Sequence, residues 1–234
     1  FDVNVDLMRA GILPGALITL RAESRLGESS VVRSGQVTPA NTAALTPVNY
    51  SDPDDGYNLA LTNLTYTQFL SESFGLTVGK LDLFGNGDFN EFSTGRGRTQ
   101  FQHWSLNYNT APIIVPASTV GAGIVAIPNE RLFFTSLITS GADCTQSNCF
   151  DDWNDNGLIW INSGSYQYNI DGLPGGVAGQ FLYMFDKDFT DFSSIVPLDR
   201  NLGGTTKSES FIVGGSFWQY LWTKEPHEGV VDLN

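Results

Sequence analysis

The chain has 234 residues, 41% of them hydrophobic and 12% aromatic, and this composition excludes an intrinsically disordered segment. Twenty-five acidic against twelve basic residues leave a formal net charge of −13, which would repel the phosphate backbone of a nucleic acid. The sequence therefore predicts a folded protein without a nucleic-acid partner, and the lack of an apolar run of about 18 residues excludes a membrane-spanning helix.

Segments with one apolar and one polar face recur along the chain, and this period of two residues is typical of β-strands. In the segment 16–27, Ile18 and Leu20 point to one side, while Arg21 and Glu23 point to the other. Either a soluble sheet or a transmembrane barrel with a wet interior would produce this alternation. The nine predicted strands cover residues 1–10, 16–27, 57–70, 76–83, 118–127, 131–140, 157–169, 176–188 and 209–223.

The connections between these strands are alternately short and long. Short ones are predicted at 11–15, 71–75, 128–130 and 170–175, and long ones at 28–56, 84–117, 141–156 and 189–208. The strand-like segment 101–109 is assigned to the loop 84–117, as a short helix or a pore-lining segment, because an extra strand would break the alternation. Tight turns at one end and long loops at the other are typical of outer-membrane barrels. The sequence therefore predicts an all-β fold, an antiparallel transmembrane β-barrel.

The charges of the second strand indicate which of its faces meets water. An Arg that faces lipid at mid-bilayer costs roughly 2–4 kcal/mol, so we expect Arg21 and Arg25 to line the lumen of a barrel. In the strand 118–127, alternate residues such as Val120 and Ile124 suit lipid, and the residues between them would then face inward.

Aromatic residues collect near the ends of the predicted strands. Either the interface girdles of a barrel or the capped core of a soluble sandwich would produce this distribution. The residues concerned are Phe69, Phe74, Phe133, Phe134, Tyr166, Tyr168, Tyr183, Phe185, Trp218, Tyr220 and Trp222.

Cys144 and Cys149 are the two cysteines of the chain and lie in one polar segment. We favour a local disulfide formed in an oxidising compartment, because no further Cys or His stands nearby to complete a zinc site. A pair of free thiols is the alternative. Asp152, Asn154 and Asn156 have the spacing that opens a calcium loop, but the twelfth position is not Glu, so we predict no metal site.

Several different short sequence strings follow one another in a characteristic order along almost the whole chain. The most specific is Gly87-Asp88-Phe89-Asn90-Glu91-Phe92, which leads into Gly95-Arg96-Gly97-Arg98-Thr99-Gln100-Phe101. Others lie at 10–15, 21–29, 38–42, 67–71 and 79–82, with weaker ones at 116–123 and 219–221. Together these strings resemble the carbohydrate-selective porins of the OprB family from Gram-negative outer membranes.

The resemblance implies a wide barrel of about sixteen strands through which sugars diffuse passively across the bacterial outer membrane. It implies small-molecule sugars and outer-membrane lipid as partners, and it leaves a homotrimer open as the state of assembly. Nine strands are an odd number, and the chain lacks the further strands with which the family closes its barrel. We therefore expect residues 1–234 to form one outer-membrane β-barrel domain, incomplete at its C-terminus, that covers the N-terminal half to two thirds of a porin.

A pore for sugars needs hydrogen-bond donors and acceptors that replace water around neutral, hydroxyl-rich solutes, and guanidinium and carboxylate groups supply both. The residues predicted to build the narrowest part of the pore are Arg21, Glu23 and Arg25 from one strand and Glu91, Arg96 and Arg98 from the long loop. A salt-bridged, solvent-facing sheet surface is the alternative for the strand residues. Trp104 or Tyr108 could offer a flat ring to a sugar, although packing in a core is the favoured role.

Catalysis finds little support in the sequence. The two histidines, His103 and His227, lie outside any recognisable triad context, and no Gly-x-Ser-x-Gly string occurs. Carboxylate pairs for glycoside hydrolysis stay open, because their separation is unknown. We predict a pore without enzymatic activity and without a cofactor. The alternative from another class is a soluble all-β carbohydrate-binding module of the jelly-roll type.

Overall fold

The structure, a computed structural model, describes residues 1–25, 47, 57–83, 115–147, 149, 153, 156–186, 189–190 and 206–222. These residues contain eleven β-strands. In chain order they are β1 Asp2–Asp6, β2 Ala16–Arg25, β3 Tyr57–Ser71, β4 Phe74–Asp82, β5 Ser118–Asn129, β6 Leu132–Ser140, β7 Leu158–Ile170, β8 Leu173–Phe185, β9 Phe189–Thr190, β10 Thr206–Lys207 and β11 Ser210–Gln219.

Nine of the strands form one antiparallel sheet in which every strand pairs with its neighbour along the chain, in the order β1-β2-β3-β4-β5-β6-β7-β8-β11. The remaining pair, β9 and β10, is a separate two-stranded sheet within the connection between β8 and β11. The predicted all-β fold and its nine antiparallel strands are confirmed, whereas the short pair was not predicted. The sheet is not closed, and within the described residues β1 and β11 each pair with a single neighbour.

Turn chemistry explains where two strands differ from prediction. β1 was expected to reach residue 10 but ends at Asp6, whose carboxylate accepts hydrogen bonds from the backbone N–H groups of Met8 and Arg9, both at 3.0 Å. β8 begins at Leu173 because the connection is a two-residue turn of Asp171 and Gly172, with φ of 53° and 79°. Positive φ at both positions is the geometry that a tight hairpin requires.

The connections at the two ends of the sheet differ in length. At one end, called the turn end, the strands are joined through residues 7–15, 72–73, 130–131 and 171–172. At the other, called the loop end, they are joined through 26–56, 83–117, 141–157 and 186–209. The predicted division into short turns and long loops is therefore confirmed.

One face of the sheet, called the apolar face, presents hydrophobic side chains outward. The strand register places Val78 opposite Ala122, Ala122 opposite Ile138 and Ile138 opposite Trp160, and directly opposite residues share a face. Exposed fractions on this face are 42% for Leu64, 52% for Val78, 55% for Ile138 and 71% for Val213.

The other face, called the mixed face, is mainly polar in β2 to β4 and is apolar toward the loop end of β6 to β8. One row of directly opposite residues crosses the sheet as Thr67, Thr77, Gly123, Leu137, Ile161, Leu182 and Ile212. Gly123 lies between the polar residues of this row, Thr67 and Thr77, and its apolar residues, which begin at Leu137. A Cβ atom at Gly123 would lie 2.7 Å from the Leu137 side chain, so the glycine leaves the space that Leu137 occupies.

The largest buried cluster lies at the loop end of the mixed face. Ile159, Ile161, Leu182 and Met184 from β7 and β8 pack there with Val115 and Ala117, which immediately precede β5. Among the residues that the structure describes, none lies in a helix with the length and apolar character needed to cross a membrane.

Candidate functional site

An Arg21-centred cluster joins three strands near the loop end of the sheet. The Arg21 Nε donates a hydrogen bond to Asp2 Oδ1 on β1, and Nη1 donates to Asp82 Oδ2 at the end of β4, at 3.0 Å. The exposed fraction of the side chain is 1% for Asp82, 24% for Arg21 and 43% for Asp2. Two carboxylates therefore contact one guanidinium.

Asn63 lies on β3, between the strands that carry Arg21 and Asp82, and its hydrogen bonds help to position the cluster. Its Nδ2 donates to the Thr19 carbonyl at 3.2 Å and to Thr65 Oγ1 at 3.4 Å, and its Oδ1 accepts from the Asp82 backbone N–H at 3.2 Å. Asn63 was not among the predicted site residues. The signal was present in the sequence, because Asn63 is an amide in the middle of a strand, in the segment 59–64, which otherwise has apolar or hydroxylated side chains.

Two β-bulges in β3 keep the alternation of β2 intact. The register shifts between Arg21 and Ala22 and again between Glu23 and Arg25, and each time the additional residue belongs to β3. Arg21 and Glu23 therefore share the mixed face along β2, as the alternation predicts. Glu23 is only 5% exposed, so its side chain is packed within the protein and is not open to solvent beside Arg21.

The other predicted constriction residues cannot be placed by contacts. Glu91, Arg96 and Arg98 lie outside the described residues, and of Arg25 the structure describes the backbone, which pairs with Tyr57. The structure therefore brings together Arg21, Asp2 and Asp82, of which only Arg21 was predicted. Trp104, Tyr108 and both histidines also lie outside the described residues.

Hydroxyl groups extend the polar part of the mixed face toward the turn end. Thr67 Oγ1 donates to Thr77 Oγ1 across β3 and β4 at 3.0 Å, and Thr65 and Thr77 are each 8% exposed. A row of hydroxyls offers both donors and acceptors, which is the chemistry that replaces water around a polar solute.

The long connection before β5 ends on the mixed face. Its last residues include Val115 and Ala117, which pack against β7 and β8 in the buried cluster described above. The described part of this connection thus lies on the same face as Arg21, across the sheet from it.

A second loop, residues 141–149, lies against the opposite, apolar face. Cys144 and Cys149 are joined by a disulfide with 5.3 Å between their Cα atoms, and both are buried. Together with Ala142 they pack against Val120 of β5. Asp143 holds the loop to the start of β5, where its Oδ2 accepts from the Ala117 N–H at 2.7 Å and from the Ser118 N–H at 3.3 Å.

The apolar face carries a groove of about 810 Å³ beside this loop. Trp153 borders the groove and is itself 54% exposed. The sheet residues that line it include Leu76, Val78, Val120, Ala122, Ile124 and Ile138.

Aromatic side chains form groups toward both ends of the sheet. At the turn end, Tyr166 and Tyr168 have ring centroids 6.4 Å apart, and Trp218 and Tyr220 have centroids 6.0 Å apart. Toward the loop end, Tyr183 lies 4.6 Å from Phe185 by the same measure.

Within the described ranges, no group of three or more His, Cys, Asp or Glu side chains is arranged to hold a metal ion. Asp152 and Asn154 of the calcium-like spacing lie outside those ranges. The candidate site therefore consists of an Arg–Asp cluster near the loop end of the sheet, with a row of hydroxyls and an apolar cluster on the mixed face, and the other face is hydrophobic and exposed. No protein-family model, no curated protein and no solved structure matches this chain.

Proposed function

We propose that the nine-stranded sheet is part of the wall of an outer-membrane β-barrel, and that the complete barrel is a porin for carbohydrates and similar small polar solutes. One observation carries this proposal. The apolar face extends over the sheet with large, exposed hydrophobic side chains, while Arg21 lies on the other face. A barrel wall between lipid and a water-filled lumen requires this division.

Exposure of the apolar face favours lipid as its surroundings. Soluble monomers rarely expose contiguous apolar patches of more than a few hundred Å². Residues as exposed as Val213 and Phe217, at 71% and 69%, would lose the free energy of hydrophobic burial in water, but not in a bilayer. Strands that cross an outer membrane need about 9–11 residues, and β5, β7 and β8 contain 12, 13 and 13.

Hydrogen-bonding chemistry on the mixed face favours a wet lumen and an uncharged solute. Arg21 is held between two carboxylates, so its charge is balanced and the cluster would not retain a small anion. Its guanidinium, which is 24% exposed, would offer hydrogen-bond donors to sugar hydroxyls. We keep Arg21, Glu23, Arg25, Glu91, Arg96 and Arg98 as the proposed constriction, with Glu23 as a buried support.

The open edges of the sheet favour a larger barrel. β1 and β11 each pair with one neighbour in the described part of the chain, and lipid does not tolerate unpaired backbone groups. We infer that further strands pair with these edges and close the barrel, in agreement with the resemblance to sixteen-stranded carbohydrate-selective porins. The outer membrane of a Gram-negative bacterium and its lipid are then the location and the surroundings of the protein.

A soluble carbohydrate-binding module is the rival function. A jelly roll covers the hydrophobic face of one sheet with a second sheet. Across the described ranges, the strands form one large sheet and a pair of two-residue strands, and the apolar face is in contact with the loop 141–149 and bordered by Trp153. This arrangement favours the barrel over the jelly roll.

Planar-bilayer recording on the full-length protein tests the proposal. The proposal predicts that the protein requires detergent for extraction and gives stepwise ion conductance that sugars block partially and reversibly. A water-soluble monomer without conductance, which nevertheless binds sugar, would replace the proposal by the rival function.

A further inference from the structure

Lys80 is a charged residue on the apolar face. The register places it directly opposite Leu64 on β3 and Val120 on β5, so the three side chains share that face. Leu64 is 42% exposed, but Lys80 is only 9% exposed. A buried ammonium group is stable only where hydrogen-bond acceptors replace the water that it has lost.

The loop 141–149 supplies these acceptors. Lys80 Nζ donates to the backbone carbonyl of Cys144 at 2.6 Å and to that of Ser147 at 2.9 Å. Cys144 is also one end of the disulfide, and Ser147 lies inside the short ring that the disulfide closes. The covalent link therefore fixes the segment from which both carbonyls reach the ammonium.

Further contacts, most of which do not involve Lys80, hold the loop 141–149 in place. The Cys144 N–H donates to the Ser118 carbonyl at 2.7 Å, and Asp143 binds the start of β5 as described above. The Asp143 carboxylate also attracts the Lys80 ammonium electrostatically. Val120, the neighbour of Lys80 across the ladder, packs under Ala142 and the two cysteines.

We propose that the disulfide loop 141–149 is a redox-dependent cap that withdraws the Lys80 charge from the apolar face. With the disulfide formed, the loop keeps its carbonyls over the ammonium. Reduction by a dithiol removes the cross-link, and the freed loop then uncovers Lys80. In this step the dithiol loses two electrons and two protons and becomes a disulfide, while Cys144 and Cys149 gain them and become thiols.

Burial of the sulfur atoms sets the speed of the step. Cys144 is 0% and Cys149 1% exposed, so a dithiol can attack only after the loop opens locally. The cap is therefore a slow device that responds to a sustained change of redox environment. The inference rests on contacts of the apolar face and does not require transport of any solute.

Amine labelling of the full-length protein in detergent tests the cap. An N-hydroxysuccinimide acetate ester is added, and modification of Lys80 is compared by mass spectrometry with that of Lys207, an exposed lysine on β10. In the oxidised protein we expect Lys80 to react at least about tenfold more slowly than Lys207, and in dithiothreitol we expect this protection to fall to about threefold or less. Equal protection in both states would overturn the proposal.

Two controls separate opening of the cap from general unfolding. The β-sheet circular dichroism of the reduced sample should be unchanged, and its loss together with the protection would refute a local device. A variant cycle gives an independent test, because Cys144→Ser/Cys149→Ser should lower the melting temperature more in the wild-type background than beside Lys80→Met. Equal shifts of the melting temperature in both backgrounds would contradict the link between the disulfide and Lys80. The link would also be contradicted if Lys207→Met made the shift smaller by the same amount as Lys80→Met.

Discussion

The two halves of the mixed face belong to the same sheet but have opposite chemistry. Near β2 to β4 the face carries Arg21, Asn63 and threonines, whereas near β7 and β8 it carries Ile159 and Met184, which are fully buried. Both halves contain buried residues, and in the polar half these include Asn63 at 3% and Thr77 at 8% exposure. The segment with Val115 and Ala117 covers the apolar half, so the side chains there form a core.

This comparison teaches that alternation along a strand identifies its two faces but not their surroundings. A residue that faces inward in a barrel meets water only where no loop covers it. In the account proposed here, solutes pass the exposed part of the polar half at Arg21 and Asp2, and the apolar half packs against an inward-lying connection.

Removal of Arg21 should have the largest effect on stability. Arg21→Met leaves the Asp82 carboxylate, which is 1% exposed, without its guanidinium partner, and breaking a buried ion pair in this way costs about 3–5 kcal/mol. Urea unfolding of the protein in detergent would measure the loss. Arg9, at 88% side-chain exposure, is the matched control, and an equally large effect of Arg9→Met would contradict the structural role of Arg21.

Truncation in the apolar half tests the core beneath Val115 and Ala117. Ile159→Ala should lower the free energy of unfolding by about 2–5 kcal/mol, because it opens a cavity at a fully buried position. Ile138, which is 55% exposed on the apolar face, provides the control for removal of the same side chain. If Ile138→Ala destabilised the protein as much as Ile159→Ala, the division into core and surface would be wrong.

If the proposed function is correct, substitution within the polar half should change how the protein interacts with sugars. Arg21→Lys keeps the charge beside Asp82 but removes the planar fork, so the sugar concentration for half block should change by about three- to tenfold. Ile18→Ala and Val120→Ala, on the apolar face, should leave sugar block unchanged. Equal effects of all three variants on bilayer conductance would remove Arg21 from the proposed constriction.

Loss of Asp2, the second carboxylate partner of Arg21, should have the smallest effect on the free energy of unfolding. Asp2 is 43% exposed, and solvent-exposed ion pairs contribute about 0–1 kcal/mol, so Asp2→Asn should change the free energy of unfolding by less than about 1 kcal/mol. Chemical denaturation alongside Arg21→Met would provide the comparison. A loss as large as that of Arg21→Met would show that Asp2, and not Asp82, dominates the cluster.

Much of the fold followed from the sequence because strands such as β2 and β5 alternate on their own, although the segment 132–139 alternates poorly and its faces could not be assigned. The nine strands and the two classes of connection depend on local patterns, and the alternation of Ile18 and Leu20 with Arg21 needs no tertiary information. The end of β1 was missed because the Asp6 carboxylate binds the following turn, a contact that the strand pattern does not reveal.

The composition of the site was less predictable because it depends on pairing between strands. Asp82 reaches Arg21 only through the register of β2, β3 and β4, and the bulges in β3 that set this register are not visible as a pattern in one strand. Likewise, the sequence alone does not indicate that Lys80 lies on the apolar face, because only the strand register places it opposite Leu64 and Val120.

Nitroxide accessibility on β11 tests most directly whether the apolar face meets lipid. Val213→Cys and Ser216→Cys, on opposite faces of one strand, would each be spin-labelled in the full-length protein reconstituted into liposomes. The account predicts frequent collisions with oxygen and few with a water-soluble nickel complex at residue 213, and more collisions with the nickel complex at residue 216. High accessibility of residue 213 to the nickel complex, equal to that of residue 216, would contradict a barrel wall in a membrane.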